Sequence, residues 1–395
     1  MKLQVHSRLT VVLVATVLLT MTGCKSSGMN AQEAEQRYHE ARARIMLPMA
    51  LQHFAAGDLD QAEHTTKEAL QVDPTNAAFH ILAGRISLER GRLERALHLF
   101  DRAIELDDKQ SGAHYYMGVV FQRWQKIDEA LACYQKAREL EPDRASHLLA
   151  IGEMLVASDR TNEALELLKS KLTYFEHHSG LRNAIGQLYA IRGDYPQAIR
   201  FLRDAHLFNM EDDQVREDLA LAQLAAGEAE EATRHLKYLA SRLGRKDLKR
   251  ALGEAYVQSG HFQEARHIYM RLTRDDPTDD ESWLKLGEIA WKAGENSSAL
   301  AAARRVVTYA PRRPEGYLLA GMVWQARDRL DRAQNLFARA AALEPRKDHT
   351  AALLLRGIAL KKLGRAQAAT SVFSEALRRR PNDSRTQYLL DTVGG

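Results

Sequence analysis

The side chains that could carry chemistry in this chain are few and scattered. Cys24 and Cys133 are its two cysteines, and a thiolate can act as a nucleophile or a metal ligand. His177 and His178 are adjacent, and imidazole is a common metal ligand and general base. An acidic segment, residues 275–281, offers carboxylate oxygens of the kind that Ca²⁺ prefers. Each group has to be weighed against a purely structural role.

None of these groups has the spacing that a catalytic or metal site requires. The sequence has no H-E-x-x-H, G-x-S-x-G, C-x-x-C or P-loop motif. Adjacent residues of a helix or strand point apart, so His177 and His178 suit surface or packing roles better than metal ligation. Residues 275–281 lack the alternating ligands and central glycine of a calcium loop. We therefore expect no catalytic residue, no cofactor and no metal.

Cys133 is expected to be a small, partly buried side chain on a helix, one residue before Tyr134. Because Cys24 is assigned to another role below, Cys133 has no intramolecular partner in an oxidising compartment. The alternatives for this thiol are an intermolecular disulfide or a reactive site.

The first 23 residues have the pattern of a secretory signal. Lys2 and Arg8 precede a charge-free, mostly apolar segment, residues 9–21, which is short of the roughly 20 apolar residues of a membrane-spanning helix. The motif Met-Thr-Gly-Cys that ends at Cys24 resembles a bacterial lipobox. The resemblance implies cleavage of residues 1–23 and acylation of Cys24, which is the predicted lipid-attachment site. A plain signal peptide or an uncleaved anchor is the alternative.

The same resemblance implies a location. In bacterial lipoproteins an Asp after the acylated cysteine signals retention in the inner membrane, whereas this chain has Lys25. The expectation is therefore a protein that is lipid-anchored at the periplasmic face of the bacterial outer membrane. Residues 24–42 are predicted to be the lipidated cysteine and a tether, in which Ser26, Ser27 and Gly28 favour flexibility.

The elements that would position any site are repeats with a period near 34 residues. Ten alanines recur at intervals of 33 to 36 residues, at Ala62, Ala96, Ala130, Ala164, Ala198, Ala232, Ala265, Ala299, Ala333 and Ala369. A second series of small residues, mostly glycine, lies twelve positions ahead of each alanine. This period is typical of a stacked array of helical repeats, in which each unit contacts only its neighbours.

Each repeat is predicted to fold as two helices joined by a short turn. In the second repeat both halves carry apolar residues at three-to-four spacing, and Gly91 lies between them, where a left-handed turn is needed. Gly84 on the first helix is expected to face Ala96 on the second. The two backbones would then approach closely, so a bulky residue at Gly84 would cost about 1–3 kcal/mol.

The order of small residue, alanine, aromatic residue, alanine and proline resembles the tetratricopeptide repeat. The third repeat shows this order as Gly118, Ala130, Tyr134, Ala137 and Pro142. The resemblance covers residues 43–381 and implies an all-α, right-handed superhelical solenoid of about ten helix-turn-helix repeats. Residues 382–395 are predicted to form a capping helix and tail, because a solenoid needs its last apolar face covered.

Three places depart from the regular pattern. Pro48 falls inside the first helix of repeat one, which we expect to be kinked or to start late. Pro196 falls in the first turn of a second helix, a position that tolerates proline. Repeat six lacks a closing proline and is followed by a one-residue contraction at residues 242–247, which predicts a local change in pitch.

The resemblance also implies where a partner would bind. In tetratricopeptide arrays, first helices line a concave groove through positions 2, 5, 9, 12 and 13 of each repeat. The implied groove residues are Arg85, Tyr115, Gln122, Arg123, Glu153, Asn183, Gln187, Glu217, Arg250, Glu254, Glu288, Trp291, Met322 and Gln325. Amides, both charges and aromatic rings suit an extended peptide or a helix. Trp291 is expected to be an anchor that lies outside the core of its helix pair.

The sequence therefore favours a non-catalytic, membrane-anchored scaffold for periplasmic or outer-membrane proteins. It resembles tetratricopeptide lipoproteins that assist assembly of envelope machines such as pili, secretion systems and polysaccharide exporters. The first alternative is a glycan-binding module of an exopolysaccharide export system, although aromatic residues make up only 7% of the chain. The second is an enzyme or regulatory subunit with an unrecognised site. A net charge of +4 with mixed signs gives no case for nucleic acid.

Overall fold

The computed structural model describes residues 31–343 and 350–393. Within those ranges every regular element is an α-helix, and there are 21 helices. The chain divides into two compact units, Met1–Asp143 and Arg144–Gly395. Within each unit, helices that follow one another in sequence pack against each other. The prediction of an all-α helical-repeat solenoid is therefore confirmed.

The described part of the first unit consists of three helix pairs. Its helices are α1 (Ala31–Ala55), α2 (Leu59–Val72), α3 (Ala77–Glu89), α4 (Leu93–Leu106), α5 (Ser111–Arg123) and α6 (Ile127–Leu140). The turn inside each pair holds one residue with positive φ, which is Gly57, Gly91 or Gln125. Asp58 and Asn76 start α2 and α3 by accepting hydrogen bonds from backbone N–H groups of the first turn.

The second unit consists of seven helix pairs and a terminal helix. Its helices are α7 (Ala145–Ala157), α8 (Thr161–Ser170), α9 (Ser179–Ile191), α10 (Tyr195–Phe208), α11 (Asp213–Ala226), α12 (Ala229–Leu243), α13 (Lys246–Gln258), α14 (Phe262–Asp275), α15 (Asp280–Lys292), α16 (Asn296–Tyr309), α17 (Pro314–Ala326), α18 (Leu330–Leu343), α19 (Ala351–Lys362), α20 (Ala366–Arg379) and α21 (Ser384–Asp391). Leu389, Leu390 and Val393, in and just after α21, pack against the core of the last helix pair.

The close contact inside a repeat differs from the one that the sequence suggested. The side chain nearest to Gly84 is the ring of Phe100, and not Ala96. Gly118 and Gly253 lie in the same way against tyrosines, and a Cβ added to Gly253 would lie 2.7 Å from Cζ of Tyr269. The glycine therefore makes room for a large ring on the second helix, while the repeat alanines are fully buried beside it.

The N-terminal end of the array also differs from expectation. Helix α1 begins at Ala31 and continues through Pro48, so the helix of repeat one does not start late, and helix occupies part of the segment predicted to be a tether. The predicted signal peptide (residues 1–23), the predicted lipid-attachment site Cys24 and residues 25–30 lie outside the described residues. Among the described residues no helix is both long and apolar enough to span a bilayer.

Two other departures from the regular pattern have local explanations. Pro196 lies in the first turn of α10, as predicted, and Asp194 caps that helix. Helix α12 ends at Gly244, whose positive φ closes the helix where repeat six has no proline. Helix α8 is only ten residues long, and turns follow it over residues 171–177. His178 caps α9 by accepting the backbone N–H of Leu181, as expected for a structural histidine.

Candidate functional site

Four of the predicted groove residues lie in the first unit and are held there by their own neighbours. The guanidinium carbon of Arg85 lies 4.5 Å from the ring centroid of Phe54 and 5.0 Å from that of Tyr116. Tyr115 packs its ring against those of Tyr116 and Tyr134, with both centroid distances 5.3 Å. Arg85 is therefore sandwiched between two aromatic faces, an arrangement that stabilises a cation and restricts its movement.

The other two make hydrogen bonds across helices. Gln122 Oε1 accepts the hydroxyl of Tyr134 at 2.7 Å. Arg123 donates to the carbonyl oxygen of Leu88, in the last turn of α3, at 2.9 Å. Arg123 is still exposed, so it combines a structural bond with access to solvent.

In the second unit, the first helices α11, α13 and α15 carry a chain of ion pairs. Glu217 is buried and accepts two hydrogen bonds from Arg245, at 2.8 and 3.0 Å. Arg245 also pairs with Asp247, and these two carboxylates raise the pKa of its guanidinium. Predicted as a groove residue, Glu217 is instead engaged in joining α11 to the start of α13.

The next pairs join α13 to the start of α15. Arg250 donates to Asp279 at 2.5 Å and lies 2.8 Å from Glu281. Lys246 lies 2.7 Å from Asp276, and its hydrogen bond lowers the pKa of that carboxyl to about 2. Burial alone would raise the pKa of Asp279, but hydrogen bonds from Ser282, Arg250 and Lys246 outweigh it and the pKa is lowered.

Lys285 completes this network by lying between two of the predicted residues. Its ammonium is 2.9 Å from Glu254 on α13 and 3.5 Å from Glu288 on its own helix. Burial alone would lower the pKa of Lys285, yet the two carboxylates raise it. We call this surface the ion-paired face and define it as Glu217, Arg245, Arg250, Glu254, Asp279, Lys285 and Glu288.

Trp291 does not lie where the sequence analysis placed it. It is half-buried and packs against the core cluster that contains Leu284, Leu300 and Val323, so the prediction that it lies outside the core is wrong. Met322 packs against the same cluster, and Gln325 is half-buried beside it on α17. The structure therefore brings Arg250, Glu254 and Glu288 together, while Trp291 serves its own helix pair.

A different part of the first-helix surface is open and apolar. One cavity of about 210 Å³ lies between α7 and α9, and one of about 430 Å³ lies between α9 and α11. Gln187 and Ile191 line both, so the two cavities lie side by side. Ile191 is 62% exposed and Leu221 is 43% exposed. We call this surface the apolar groove; its other lining residues are Leu149, Gly152, Glu153, Val156, Leu168, Ala184, Leu188, Ala190, Tyr195, Leu202, Asp218 and Ala222.

Polar side chains at the edge of the apolar groove are organised around one carboxylate. Asn183 and Gln187 donate to Oδ2 of Asp218, at 3.0 and 2.6 Å, and Gln214 donates to its Oδ1 at 3.1 Å. Glu153 is exposed at the other side. Three predicted groove residues, Glu153, Asn183 and Gln187, therefore meet at one site, which has an apolar floor and an acidic rim.

Sequence reasoning missed the residues that distinguish these two surfaces. Ile191 occupies the same repeat position as Arg123, but the predicted groove residues do not include it. Asp218 and Lys285 fall between the positions that the family comparison implies. The pattern of charges could have revealed Lys285, because it lies three residues before Glu288 on one helix face.

The other side chains that could carry chemistry, Cys133 and His177, are packed against neighbouring groups of the protein. Burial raises the pKa of the Cys133 thiol to about 11, which keeps it protonated and unreactive at neutral pH. The ring of His177 packs against Phe208 with centroids 5.2 Å apart. Over residues 31–343 and 350–393, no three His, Cys, Asp or Glu side chains are placed to hold a metal ion.

Comparison with solved structures finds chains at low sequence identity. The C-terminal part of a TPR repeat-containing protein from Cytophaga hutchinsonii is 16% identical with a TM-score of 0.49, and covers 61% of this chain and 99% of that one. Pseudomonas aeruginosa pilF is 14% identical with a TM-score of 0.46, over 51% and 92% of the two chains. Yeast Tom70 is 12% identical with a TM-score of 0.46, over 90% and 88%.

No curated protein matches this chain. Family profiles described as tetratricopeptide repeat match residues 53–118, 111–144, 250–316 and 318–384. Repeats of this kind typically form non-catalytic scaffolds that bind other proteins. Together with the helix pairs and turn glycines described above, these matches show that the chain belongs to the tetratricopeptide repeat family.

Proposed function

We propose that this protein is a non-catalytic scaffold that holds a partner protein in the apolar groove. The observation that carries the proposal is the exposure of Ile191 and Leu221 at two neighbouring cavities that share Ile191 as a lining residue. Exposed apolar side chains in a concavity gain free energy when a partner covers them, by about 25 cal/mol per Å² of apolar surface buried. The acidic rim adds a place for a basic or amide group of that partner.

The ion-paired face is a weaker candidate for the same role. Its carboxylates already have cationic partners at 2.5 to 3.5 Å, so a ligand would have to replace existing bonds rather than form new ones. Exchanging one ion pair for another contributes little net free energy. We therefore place the binding site in repeats four to six rather than around Arg250 and Trp291.

We also propose that the scaffold is lipid-anchored through Cys24 at the periplasmic face of a bacterial outer membrane. The support is the sequence alone: a basic and apolar leader, Met-Thr-Gly before Cys24, and Lys25 after it. On this proposal its partners are periplasmic or outer-membrane proteins of an envelope assembly machine. A glycan-binding role in exopolysaccharide export is less well supported, because Tyr195 is the single aromatic residue among those that line the apolar groove.

The groove proposal can be tested with a photo-crosslinking amino acid introduced at Ile191 in cells. We expect a discrete protein adduct from this position and none from Met210, which is 59% exposed but lies outside the apolar groove. With the partner identified and purified, the double variant Ile191→Ser and Leu221→Ser should bind at least tenfold more weakly, because two apolar contacts are lost.

Met210→Ser is the matched control, and it should bind like the unaltered chain. Equal binding by the groove double variant and this control would move the site elsewhere. A Cys24→Ser chain that still fractionates with the outer membrane would contradict the anchor without affecting the groove.

A further inference from the structure

The outward faces of the second helices carry a cation at one of two adjacent positions in successive repeats. A lysine or arginine lies five or six residues after the repeat alanine in each of repeats two to eight. These residues are Arg102, Lys136, Lys169, Arg203, Lys237, Arg271 and Arg304, and all seven are exposed. A side chain at this position points away from the buried alanine, so the row lies on the side of each helix pair that faces solvent.

In repeats two to four the cation is neutralised on its own helix. Arg102 lies 2.8 Å from Glu105, Lys136 lies 3.1 Å from Glu139, and Lys169 lies 3.9 Å from Glu166. Helices α2, α4, α6 and α8 together hold six Lys and Arg against eleven Asp and Glu, a net charge of −5.

In repeats five to eight the same cations form no close ion pair with a described residue, although Lys237 borders a cavity that Glu230, Glu231 and Glu264 also line. Among the described residues no carboxylate lies within 4.0 Å of Arg203, Lys237, Arg271 or Arg304. Helices α10, α12, α14 and α16 hold ten Lys and Arg against five Asp and Glu, a net charge of +5. We call Arg203, Lys237, Arg271 and Arg304 the open cation row.

Exposed apolar side chains accompany this row. Leu207 on α10 is 58% exposed, Tyr238 on α12 is 39% exposed, and Met270 on α14 is 46% exposed. Tyr238 and Met270 are sequence neighbours of Lys237 and Arg271, and Leu207 lies one turn beyond Arg203. Cations interleaved with apolar side chains are the composition that binds the interface of an anionic bilayer, where the apolar groups enter the acyl boundary.

We infer that the open cation row is a docking surface for an anionic phospholipid membrane. A soluble polyanion would use the charges but gain nothing from Leu207 and Met270, so the bilayer is the better match. The open cation row shares no residue with the lining of the apolar groove, which lies mainly between the first helices α7, α9 and α11, so a docked protein would keep its groove accessible. The inference does not depend on a lipid at Cys24.

The test uses the full chain and phosphatidylcholine vesicles with or without phosphatidylglycerol, measured by co-sedimentation at low salt. We expect stronger binding when phosphatidylglycerol is present, and loss of this added binding at high salt. One basic residue near such a surface contributes about 1 kcal/mol, so removing three should lower the partition coefficient roughly a hundredfold. The open-row triple variant is Arg203→Gln, Lys237→Gln and Arg271→Gln.

A charge-matched control removes three cations that already have carboxylate partners. It consists of Arg102→Gln, Lys136→Gln and Lys169→Gln, and it should change the partition coefficient less than threefold. Because both triple variants retain residues 1–30, any contribution of that segment to membrane binding cancels in the comparison. Arg203→Lys and Arg271→Lys together should bind normally, which separates charge from local structure.

The inference would be overturned by an equal loss of binding in the two triple variants, or by equal binding to vesicles with and without phosphatidylglycerol.

A second experiment uses heparin as a soluble polyanion. The double variant Leu207→Ser with Met270→Ser should weaken vesicle binding several-fold and leave heparin binding unchanged. If the double variant leaves vesicle binding unchanged, or the chain binds heparin but no vesicle, the surface recognises a polyanion and not a membrane.

Discussion

The apolar groove and the ion-paired face both lie on the first helices of successive repeats, yet they have opposite chemistry. In repeats four to six the first helices leave Ile191 and Leu221 exposed at two neighbouring cavities. In repeats six to eight the equivalent surface is covered by carboxylates and cations that bond to each other across neighbouring helices. The apolar groove leaves apolar side chains exposed, whereas the charged groups of the ion-paired face bond to one another.

This difference shows why residue type is a poor guide to binding in a repeat protein. Arg250, Glu254 and Glu288 have the charges of an interaction surface, but Arg250 and Glu254 pair with residues of repeat eight, and Glu288 pairs with Lys285 on its own helix. Ile191 has the type of a core residue but is exposed. A side chain becomes available for a ligand only when its neighbours leave its bonding capacity or its apolar surface unused.

The largest expected contrast is between Trp291→Ala and Ile191→Ala. Trp291 packs on a buried cluster, so its removal should lower the free energy of unfolding by about 2 kcal/mol. Ile191 is 62% exposed, so its truncation should cost less than about 0.5 kcal/mol while weakening partner binding. Chemical denaturation of the two variants measures the difference. Equal destabilisation would show that Ile191 is part of the core and would break the comparison.

A second contrast concerns two glycines beneath these surfaces. A Cβ at Gly253 would lie 2.7 Å from the ring of Tyr269, whereas one at Gly152, beside the apolar groove, would make an ordinary 3.5 Å contact with Leu168. Gly253→Ala should therefore cost about 1–2 kcal/mol through overpacking. Gly152→Ala should gain about 0.5 kcal/mol, because alanine favours helix. Opposite shifts in melting temperature are expected, and shifts of the same sign would contradict the looser packing of repeat four.

The smallest expected effect is the dependence of stability on pH near the ion-paired face. The folded-state pKa of Asp276 is lowered to about 2, so its stabilising contribution is complete above the unfolded value near 4. That contribution is lost as pH falls from 4 towards 2. Hydrogen exchange should show α13 to α15 losing protection over this range before α7 to α9.

Lys246→Met removes the main cause of this shift and should return the Asp276 pKa towards its ordinary value. Lys249→Met is the control, because it removes a cation from the same helix that has no carboxylate within 4.0 Å among the described residues. NMR titration of the Asp276 carboxyl checks both variants. An unchanged pKa in Lys246→Met would show that the hydrogen bonds from Thr278 dominate instead.

The repeat pattern predicted most of the fold because its signals are local. Turn residues such as Gly91 and Gly193 recur at the repeat period, and helix caps such as Asp194 act within one turn of the chain.

The prediction of the groove residues was only partly useful. Glu153, Asn183 and Gln187 line or border the cavities, but Glu217 and Arg250 are held by residues about one repeat away. Such pairings depend on the side-chain positions of two helices, which a single-sequence pattern does not contain.

The contact between a first-helix glycine and the second helix bears on which repeats could be copied or transplanted during evolution. In repeats three and seven the glycine meets a tyrosine of the same repeat, at Gly118 with Tyr134 and Gly253 with Tyr269. In repeat eight the ring is absent, and the space at Gly287 is filled by Leu319 from the following repeat. At this contact repeats three and seven use only their own residues, whereas repeat eight needs the leucine of repeat nine, so these two would have to be inherited together.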